Sequence, residues 1–291
     1  MQAAAPSVPP RSTSTGQLRV VGQRPPFGRY LVEVWRRRAF IWGLATAQLR
    51  AVNGQDRLGS LWLVLTPLLN GAVYFLIFGV LLDTRHGIDK FIGYLIIGVF
   101  LFSYTTRSVT AGAKAVSGNR KLIQTLSFPR AVLPLAEVVQ QVIVLGLSLV
   151  VMMALLLIAA PREPLSISWH WLLVIPALAL QTLFNAGLVL IFARFVAGVS
   201  DIGNMLTFGL RGWLYFSGVF YAPTRFEHHH VLYTIFHLNP GYAYLALVRD
   251  MVLYNRISPF QVWAVAVGWA VPVALIGLYL FWHAEETYAR E

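Results

Sequence analysis

One charged side chain lies inside an apolar stretch and has the chemistry to bind a phosphate. Arg211 is the only Asp, Glu, Lys or Arg in the run IGNMLTFGLRGWLYFSGVFY, residues 202–221. A charge in such a stretch is costly, and it therefore suggests a function. A guanidinium group matches phosphate oxygens with two parallel hydrogen bonds, so Arg211 is a candidate for contacting a diphosphate. Pairing with Glu137 or Asp201, or extension of the side chain to an interface, would explain it equally well.

Aromatic side chains are candidates for contacting sugars. They make up 13% of the chain. Their flat faces pack against sugar C–H groups, and Tyr and Trp also hydrogen-bond to hydroxyls. For any single ring, core packing or a place in an interfacial belt is the simpler explanation. The best candidates for lining a conduit are Tyr104, Trp213, Tyr215 and Phe216.

The residue types exclude several kinds of catalytic and metal chemistry. The chain has no cysteine, which excludes disulfides, cysteine-ligated zinc and thiol catalysis. The adjacent His228, His229 and His230 point in different directions on a helix or a strand, so we expect no metal site there. No G-x-x-x-x-G-K-[ST] phosphate loop is present, so nucleotide hydrolysis requires another chain. We therefore expect this chain to bind no cofactor.

The composition indicates an integral membrane protein. The chain has 57% hydrophobic and 12% charged residues and a mean hydropathy of +0.63, whereas a soluble domain has roughly 25% charged residues. The net charge of +11 could suggest nucleic-acid binding. However, the basic residues occur in short segments beside apolar runs, which is typical of membrane topology. We expect no nucleic-acid partner.

The apolar runs predict an all-α fold with six transmembrane helices. A helix needs roughly 20 mostly apolar residues to cross a bilayer. The runs that satisfy this are residues 60–82, 91–113, 131–160, 169–193, 202–221 and 257–284. They predict a six-span permease domain over residues 57–284, followed by a short tail at 285–291.

The distribution of basic residues predicts the orientation. With the N-terminus in the cytoplasm, sixteen Lys and Arg residues lie on the cytoplasmic side and six on the outer side. Because cytoplasmic segments of membrane proteins are enriched in these residues, both termini are predicted to be cytoplasmic.

Two segments precede the first span. The Pro-, Ser- and Arg-containing residues 1–28 are typical of a disordered cytoplasmic tail. Residues 29–56 mix tryptophans with arginines, which predicts an amphipathic helix in the headgroup plane next to anionic lipid. A simple flank that stops translocation is the alternative. The expected interfacial anchors are Trp35, Arg36, Arg37, Arg38 and Trp42.

The stretch GNRKLIQTLSFPRAVLPLAE, residues 118–137, predicts a short cytoplasmic helix between the second and third spans. Asn119 is a plausible N-cap, and Pro129 ends the helix because the residue before a proline is biased away from helical conformation. The nine intervening residues would form about 13 Å of helix, too short to cross a bilayer. Such a helix suits either a groove in a partner or a layer of headgroups. Its candidate contact residues are Arg120, Lys121, Leu122, Ile123, Leu126, Phe128 and Arg130.

The aromatic residues 222–256 between the fifth and sixth spans are too long for a simple turn. The apolar run 231–248 is interrupted by His237 and by Asn239-Pro240. Broken hydrophobic segments of this kind usually re-enter the membrane or lie at its surface. We expect two short re-entrant or outer helices separated by the Asn-Pro-Gly turn.

Three motifs on this six-span frame resemble polysaccharide-export ABC-transporter permeases. The first is Leu-Gly-x-x-Trp followed by a Pro-Leu pair, at residues 58–68. The second is the succession of a basic residue, Leu-Ile, Phe-Pro-Arg and Leu-Pro, at residues 121–134. The third is the Asn-Pro of HLNPGYAYLALVRD. The likeness covers roughly residues 29–284. It departs from the family in ARFVAGVSDIG, where Asp201 lacks the adjacent Arg that the family often has.

The resemblance implies an export subunit in the plasma (inner) membrane. Two copies of such a permease pair, and each docks one cytoplasmic ATPase that uses ATP and Mg²⁺. The assembly moves a polyprenyl-diphosphate-linked glycan outward, and the short helix at residues 120–128 is then a coupling helix for the ATPase. An ion-coupled flippase is the main alternative, although the chain has no internal repeat. A membrane-embedded glycosyl- or acyltransferase fits less well, because the twelve acidic residues are scattered without an Asp-x-Asp motif.

Overall fold

The computed structural model describes residues 26–55, 59–81, 88, 90–125, 128–159, 168–223 and 228–285, and the regular elements in these ranges are helices. In chain order they are α1 (Phe27–Arg36), α2 (Arg38–Gln55), α3 (Gly59–Tyr74, continued by the π-helix Phe75–Leu81), α4 (Phe91–Ala113), α5 (Ala115–Gly118), α6 (Arg120–Thr125), α7 (Val132–Ala159), α8 (Val174–Gly198, preceded by the 3₁₀ turn Trp169–Leu173), α9 (Ile202–Phe216), α10 (His230–His237), α11 (Pro240–Val252) and α12 (Phe260–His283).

Four of the helices in the described ranges are long and apolar enough to cross a bilayer. They are α4, α7, α8 with its 3₁₀ turn, and α12. The most apolar part of α4 is 72% buried, against 33–39% for the corresponding parts of the other three. The helix α4 is therefore the centre of the fold, and the other three leave apolar faces exposed, as expected for helices in contact with lipid.

The helices α8 and α12 cross at a contact between two glycines. A Cβ atom added to Gly277 would lie 2.5 Å from the carbonyl oxygen of Gly187. A Cβ added to Gly187 would lie 2.6 Å from the backbone of Val273 and Ala274. Small residues of this kind allow helix backbones to approach closely where no hydrophobic effect drives association.

We expect Gly277→Ala to destabilise the protein by roughly 1–3 kcal/mol, because the added methyl group forces two helix backbones apart. A matched control lies on the same helix, since a Cβ at Gly268 meets no atom within 4 Å. Gly268→Ala should leave the unfolding temperature in detergent unchanged or slightly higher. Equal unfolding temperatures for Gly277→Ala and the wild type would show that this contact is not tight.

The short helix α9 runs beside α4. Near its start, a Cβ at Gly203 would lie 3.5 Å from Cε of Lys114, which follows α4. Beyond its end, the carbonyl of Gly218 accepts a hydrogen bond from Tyr94 in the first turn of α4. Residues 203–218 thus cover the distance between the two ends of α4, although the regular helix stops at Phe216 and not at the predicted residue 221.

The first and last described helices meet at one end of the molecule. Tyr30 of α1 donates a hydrogen bond to Glu285, two residues beyond α12. Both ends of the described chain therefore lie on the same side. The segment predicted as one amphipathic helix over 29–56 is two helices, since α1 ends at Arg36 and α2 begins at Arg38.

Candidate functional site

Residues 217–221 form an irregular turn after α9. Backbone carbonyls of this turn accept hydrogen bonds from side chains of other helices. Gly218 adopts a positive φ of 65°, which lets the chain leave the helix axis. The hydroxyl of Tyr94 donates to the carbonyls of Gly218 (2.9 Å) and Tyr221 (3.0 Å). Non-helical backbone at membrane depth requires such partners, because the hydrocarbon offers none.

Arg249 of α11 supplies the other donors to this turn. Its side chain is 2% exposed. Nη1 donates to the carbonyl of Gly218 (2.8 Å), and Nη2 donates to the carbonyls of Tyr94 (2.9 Å) and Val219 (3.3 Å). The guanidinium carbon also lies 3.3 Å from the centroid of the Tyr94 ring. Arg249 thus ties α4, the turn after α9 and α11 into one unit.

Asn239 joins the start of α11 to the end of α9. Its Oδ1 accepts from the backbone N–H of Gly241 (2.9 Å) and from Nε1 of Trp213 (2.9 Å). Its Nδ2 donates to the carbonyl of Phe216 at 2.8 Å. The residue is therefore both the N-cap of α11 and a brace for the last turn of α9.

Arg211 lies on the outward face of α9 together with apolar and aromatic side chains. Arg211 is exposed, as are Tyr215 (42%) and Phe216 (70%). The ring of Tyr74 at the end of α3 and the ring of Tyr215 both pack on Phe220, with centroids 4.7 and 5.4 Å away. A guanidinium beside these rings can bind an anionic group attached to an apolar or sugar-bearing chain.

Neither carboxylate considered as a partner for Arg211 is paired with it in the described structure. Glu137 of α7 interacts with the side chain of Gln48 of α2. Asp201 is exposed at the start of α9, ten residues before Arg211. An ion pair of the outer region joins Asp250 and Arg256 instead, at 2.7 Å.

Tyr104 and Trp213, the other two candidates for lining a conduit, lie deeper in the protein. Tyr104 of α4 is 1% exposed, and its hydroxyl shares a hydrogen bond of 2.8 Å with Thr182 of α8. Trp213 is partly buried and packs edge-on against Phe102, with centroids 5.3 Å apart. Tyr104 is thus separated from the exposed face that holds Arg211, Tyr215 and Phe216.

The short helix α6 lies at the end of the molecule where α1 meets the end of α12. It covers six residues, Arg120–Thr125, and the candidate Leu126 lies outside the described residues. The side chain of Asn119, expected to cap α6, instead donates to the carbonyl of Ala115 at 2.8 Å and closes α5. The backbone carbonyl of Asn119 begins α6 by accepting from the N–H of Leu122.

Part of the expected contact face of α6 is already in contact with the chain itself. Ile123 and Phe128 pack against a buried cluster formed by α1, α2 and the ends of α7, α8 and α12. The ring of Phe128 lies 5.5 Å from that of Phe40. Leu122 is half-buried, whereas Lys121 and Gln124 are exposed. The surface that α6 presents to a partner is therefore more polar than the sequence suggested.

The expected interfacial anchors lie on the surface of α1 and α2. Trp35 is 70% exposed and Trp42 58% exposed. Arg36, Arg37 and Arg38 are exposed as well, and the guanidinium carbon of Arg38 lies 5.8 Å from the centroid of the Trp35 ring. The opposite face of α1 is buried through Tyr30 and Val34.

Sequence reasoning missed two side chains that organise these regions, Arg249 and Glu285. It counted Arg249 in the outer segment 222–256 without a role, and it assigned Glu285 to a terminal tail. Arg249 had a usable signal, because ALVRDMVLY places it within an apolar helical pattern. Glu285 had none, since its partners Tyr30 and Arg130 are 255 and 155 residues distant in sequence. Among the described residues no group of three His, Asp or Glu is placed to hold a metal ion.

Comparison with known proteins places these features in a wider group. Residues 40–253 match the family described as ABC-2 type transporter. The O-antigen export system permease protein RfbA of Myxococcus xanthus is 25% identical over 260 residues, which cover 89% of this chain and 95% of that protein. The protein of the same name from Klebsiella pneumoniae is 28% identical over 227 residues, covering 77% of this chain and 83% of the relative.

Proposed function

Because the chain belongs to the ABC-2 type transporter family, we propose that it is the permease subunit of an exporter for a polyprenyl-diphosphate-linked polysaccharide in the plasma (inner) membrane. The observation that carries the proposal is similarity to permeases named for O-antigen export over 95% and 83% of their lengths. A protein that moves such a polymer must bind a charged diphosphate and many sugars without modifying either.

The energy comes from a separate subunit. The chain has no phosphate loop of its own. In the proposed assembly, two copies of a cytoplasmic ATPase bind ATP and Mg²⁺ and serve two copies of this permease. The exposed face of α9 and the π-helical end of α3 bear apolar side chains that a second copy can cover, among them Met205 (72% exposed) and Leu76 (55% exposed).

Six spans are the topology that fits the chain best. The helix α3 with its π-helical extension has 23 residues, from Gly59 to Leu81, which is long enough to cross. The helix α9 and the turn after it run beside α4 from Lys114 to Tyr94. Because α1 and the end of α12 lie on one side, the excess of Lys and Arg predicted for that side orients it toward the cytoplasm.

The substrate passes the face that holds Arg211, Tyr215 and Phe216. The guanidinium of Arg211 binds the diphosphate, and the aromatic rings contact sugars as the polymer follows. Trp35, Trp42 and the three adjacent arginines of α1 and α2 hold the cytoplasmic side in the headgroup layer, next to anionic lipid.

The helix α6 docks the ATPase through its polar side. Lys121 and Gln124 face solvent, while Ile123 and Phe128 fix the helix to the permease. A docking helix needs a surface for the ATPase and a firm attachment to the permease, because an element that moved freely would transmit no force. Leu122 lies between the two surfaces as a half-buried apolar contact.

We expect Lys121→Glu to lower the amount of ATPase that copurifies with the permease by about tenfold, since it reverses the charge at the edge of a docking surface. Lys114→Glu is the matched control, because Lys114 is exposed at the same end of the molecule but lies outside α6. Substitutions at Ile123 are unsuitable, since they also disturb the buried cluster. Equal recovery of ATPase with both variants would contradict docking through α6.

The substrate class is tested by ATP hydrolysis of the assembled permease and ATPase. We expect a polyprenyl-diphosphate-linked glycan to stimulate hydrolysis, and a polyprenyl monophosphate without sugar to have little effect. A complex that responds to neither compound, or to both alike, would contradict the proposed substrate.

A further inference from the structure

A single acidic residue connects three elements at the end of the molecule where α1 meets the end of α12. Glu285 follows α12 by two residues. Its Oε2 accepts a hydrogen bond from the hydroxyl of Tyr30 on α1 at 2.8 Å. Its Oε1 accepts from the backbone N–H of Arg130 at 2.9 Å, and its backbone carbonyl accepts from Nη1 of Arg130 at 2.7 Å. We call Tyr30, Arg130 and Glu285 the carboxylate clasp.

The clasp is embedded in apolar packing that joins the same elements. Tyr30 is 1% exposed. The rings of Phe27 on α1 and Trp282 on α12 lie 5.3 Å apart in an edge-on contact. Arg130 and Glu285 are half-buried, so the clasp is partly shielded from water, and hydrogen bonds to a charged group are stronger in such surroundings.

The electrostatics of Glu285 depend on its two donors. Burial raises the pKa of its carboxyl above the usual range, whereas the hydrogen bonds from the Arg130 backbone and from Tyr30, and the positive charge of Arg130, lower it. Glu33 on α1 adds a small opposing effect. A buried carboxylate that loses such donors is left with unsatisfied oxygens, which is costly.

The position of Arg130 connects the carboxylate clasp to the helix that is proposed to bind the ATPase. Arg130 lies between α6, which ends at Thr125, and α7, which begins at Val132. A displacement of α6 therefore reaches the third span through this segment. Through Glu285 the same displacement also reaches α1 at the membrane surface and the end of α12.

We propose that Glu285 is a positioning residue that holds the segment after α6 in register with α1 and α12, so that movement of a docked ATPase is transmitted to all three elements together. This inference rests on the proposed function, because it assumes that α6 receives the force. It assigns to Glu285 neither contact with substrate nor contact with the ATPase. Its loss should lower the efficiency of coupling without preventing docking.

The test compares four variants of the full permease, purified with its ATPase and reconstituted in vesicles. Glu285→Ala removes both side-chain acceptors, whereas Glu285→Gln keeps an oxygen for the Arg130 N–H and loses the charge. Tyr30→Phe removes one hydroxyl and leaves the buried ring in place. Glu33→Gln is the control, because it neutralises an exposed carboxylate on the same helix as Tyr30. The readouts are ATPase recovered, ATP hydrolysed and lipid-linked glycan translocated.

We expect Glu285→Ala to retain the ATPase and to translocate about tenfold less glycan per ATP hydrolysed, from the loss of two hydrogen bonds to a buried charged group. In Glu285→Gln, the amount of glycan translocated per ATP hydrolysed should return to most of the wild-type value. Tyr30→Phe should lower this ratio about threefold, and Glu33→Gln should match the wild type. This graded order separates positioning from general damage, which would lower ATPase recovery and translocation together.

An unchanged ratio in both Glu285→Ala and Tyr30→Phe would overturn the inference. If Glu285→Ala fails to fold or to retain its ATPase, a wild-type ratio of translocation to ATP hydrolysis in Tyr30→Phe would also overturn the inference. Failure of the proposed function looks different, because then the wild-type complex itself shows no glycan translocation dependent on ATP.

Discussion

Arg249→Met is expected to destabilise the permease by roughly 3–6 kcal/mol, because it removes the hydrogen bonds of a buried guanidinium, and a hydrogen bond to a charged group is worth about 1.5–3 kcal/mol. Methionine has similar length and no charge, so it fills the space without restoring the hydrogen bonds to Tyr94, Gly218 and Val219. The measurement is the thermal unfolding temperature of the purified protein in detergent, followed by its monodispersity on gel filtration.

Arg256→Met is the matched control for this prediction. Arg256 follows α11, its side chain is 65% exposed, and it pairs with Asp250 at 2.7 Å. Because Asp250 is only 8% exposed, Arg256→Met also takes the partner from a buried carboxylate, but it should lower the unfolding temperature less than Arg249→Met, which removes donors from three carbonyls. If Arg249→Met unfolds at the same temperature as Arg256→Met, the turn after α9 is not held by Arg249.

If Arg211 binds the diphosphate as proposed, Arg211→Glu is expected to reduce glycan export by about 100-fold or more, because it would remove two charge-assisted hydrogen bonds and add repulsion. Arg211→Lys should fall in between, since an ammonium keeps the charge but loses the planar fork. Arg211 is exposed on α9, so neither variant should change stability. The measurement is the initial rate of ATP-dependent translocation in vesicles.

Asn204→Ala serves as the control for Arg211. Asn204 is exposed on the same helix, two turns nearer its start. Export by this variant should match that of the wild type. A wild-type translocation rate for Arg211→Glu would exclude a diphosphate contact. Arg211 would then be a surface residue without a role in export.

The sequence predicted correctly those features that depend on residues close together in the chain. Long, mostly apolar runs predicted the helices α4, α7, α8 and α12, because length and hydropathy alone determine whether a helix suits a bilayer. The three motifs that suggested polysaccharide-export permeases were also informative, and the match of residues 40–253 to the ABC-2 type transporters confirms that resemblance.

The sequence was least informative where distant residues meet. The run at 202–221 is apolar enough to continue as one helix, yet α9 stops at Phe216. The reason is that Gly218 starts a turn whose carbonyls are satisfied by Tyr94 and Arg249, on two other helices. No pattern within the run encodes those partners.

The short helix α6 shows the same limit. Its periodicity indicated an apolar face, but periodicity does not reveal whether that face packs against the chain itself or a partner. Ile123 contacts the chain's own buried cluster, which has members from helices far apart in sequence. Likewise, the isolated character of Arg211 was evident from the sequence, whereas the packing of Tyr74 and Tyr215 on Phe220 joins α3 to the region of α9 through contacts that no local pattern shows.

The most direct test of the central claim is translocation of a polyprenyl-diphosphate-linked glycan in vesicles that contain this permease with or without its ATPase. We expect movement of the glycan to the opposite leaflet only when permease, ATPase, ATP and Mg²⁺ are all present. Translocation by the permease alone, or driven by an ion gradient without ATP, would contradict an ATP-driven exporter and favour a secondary flippase.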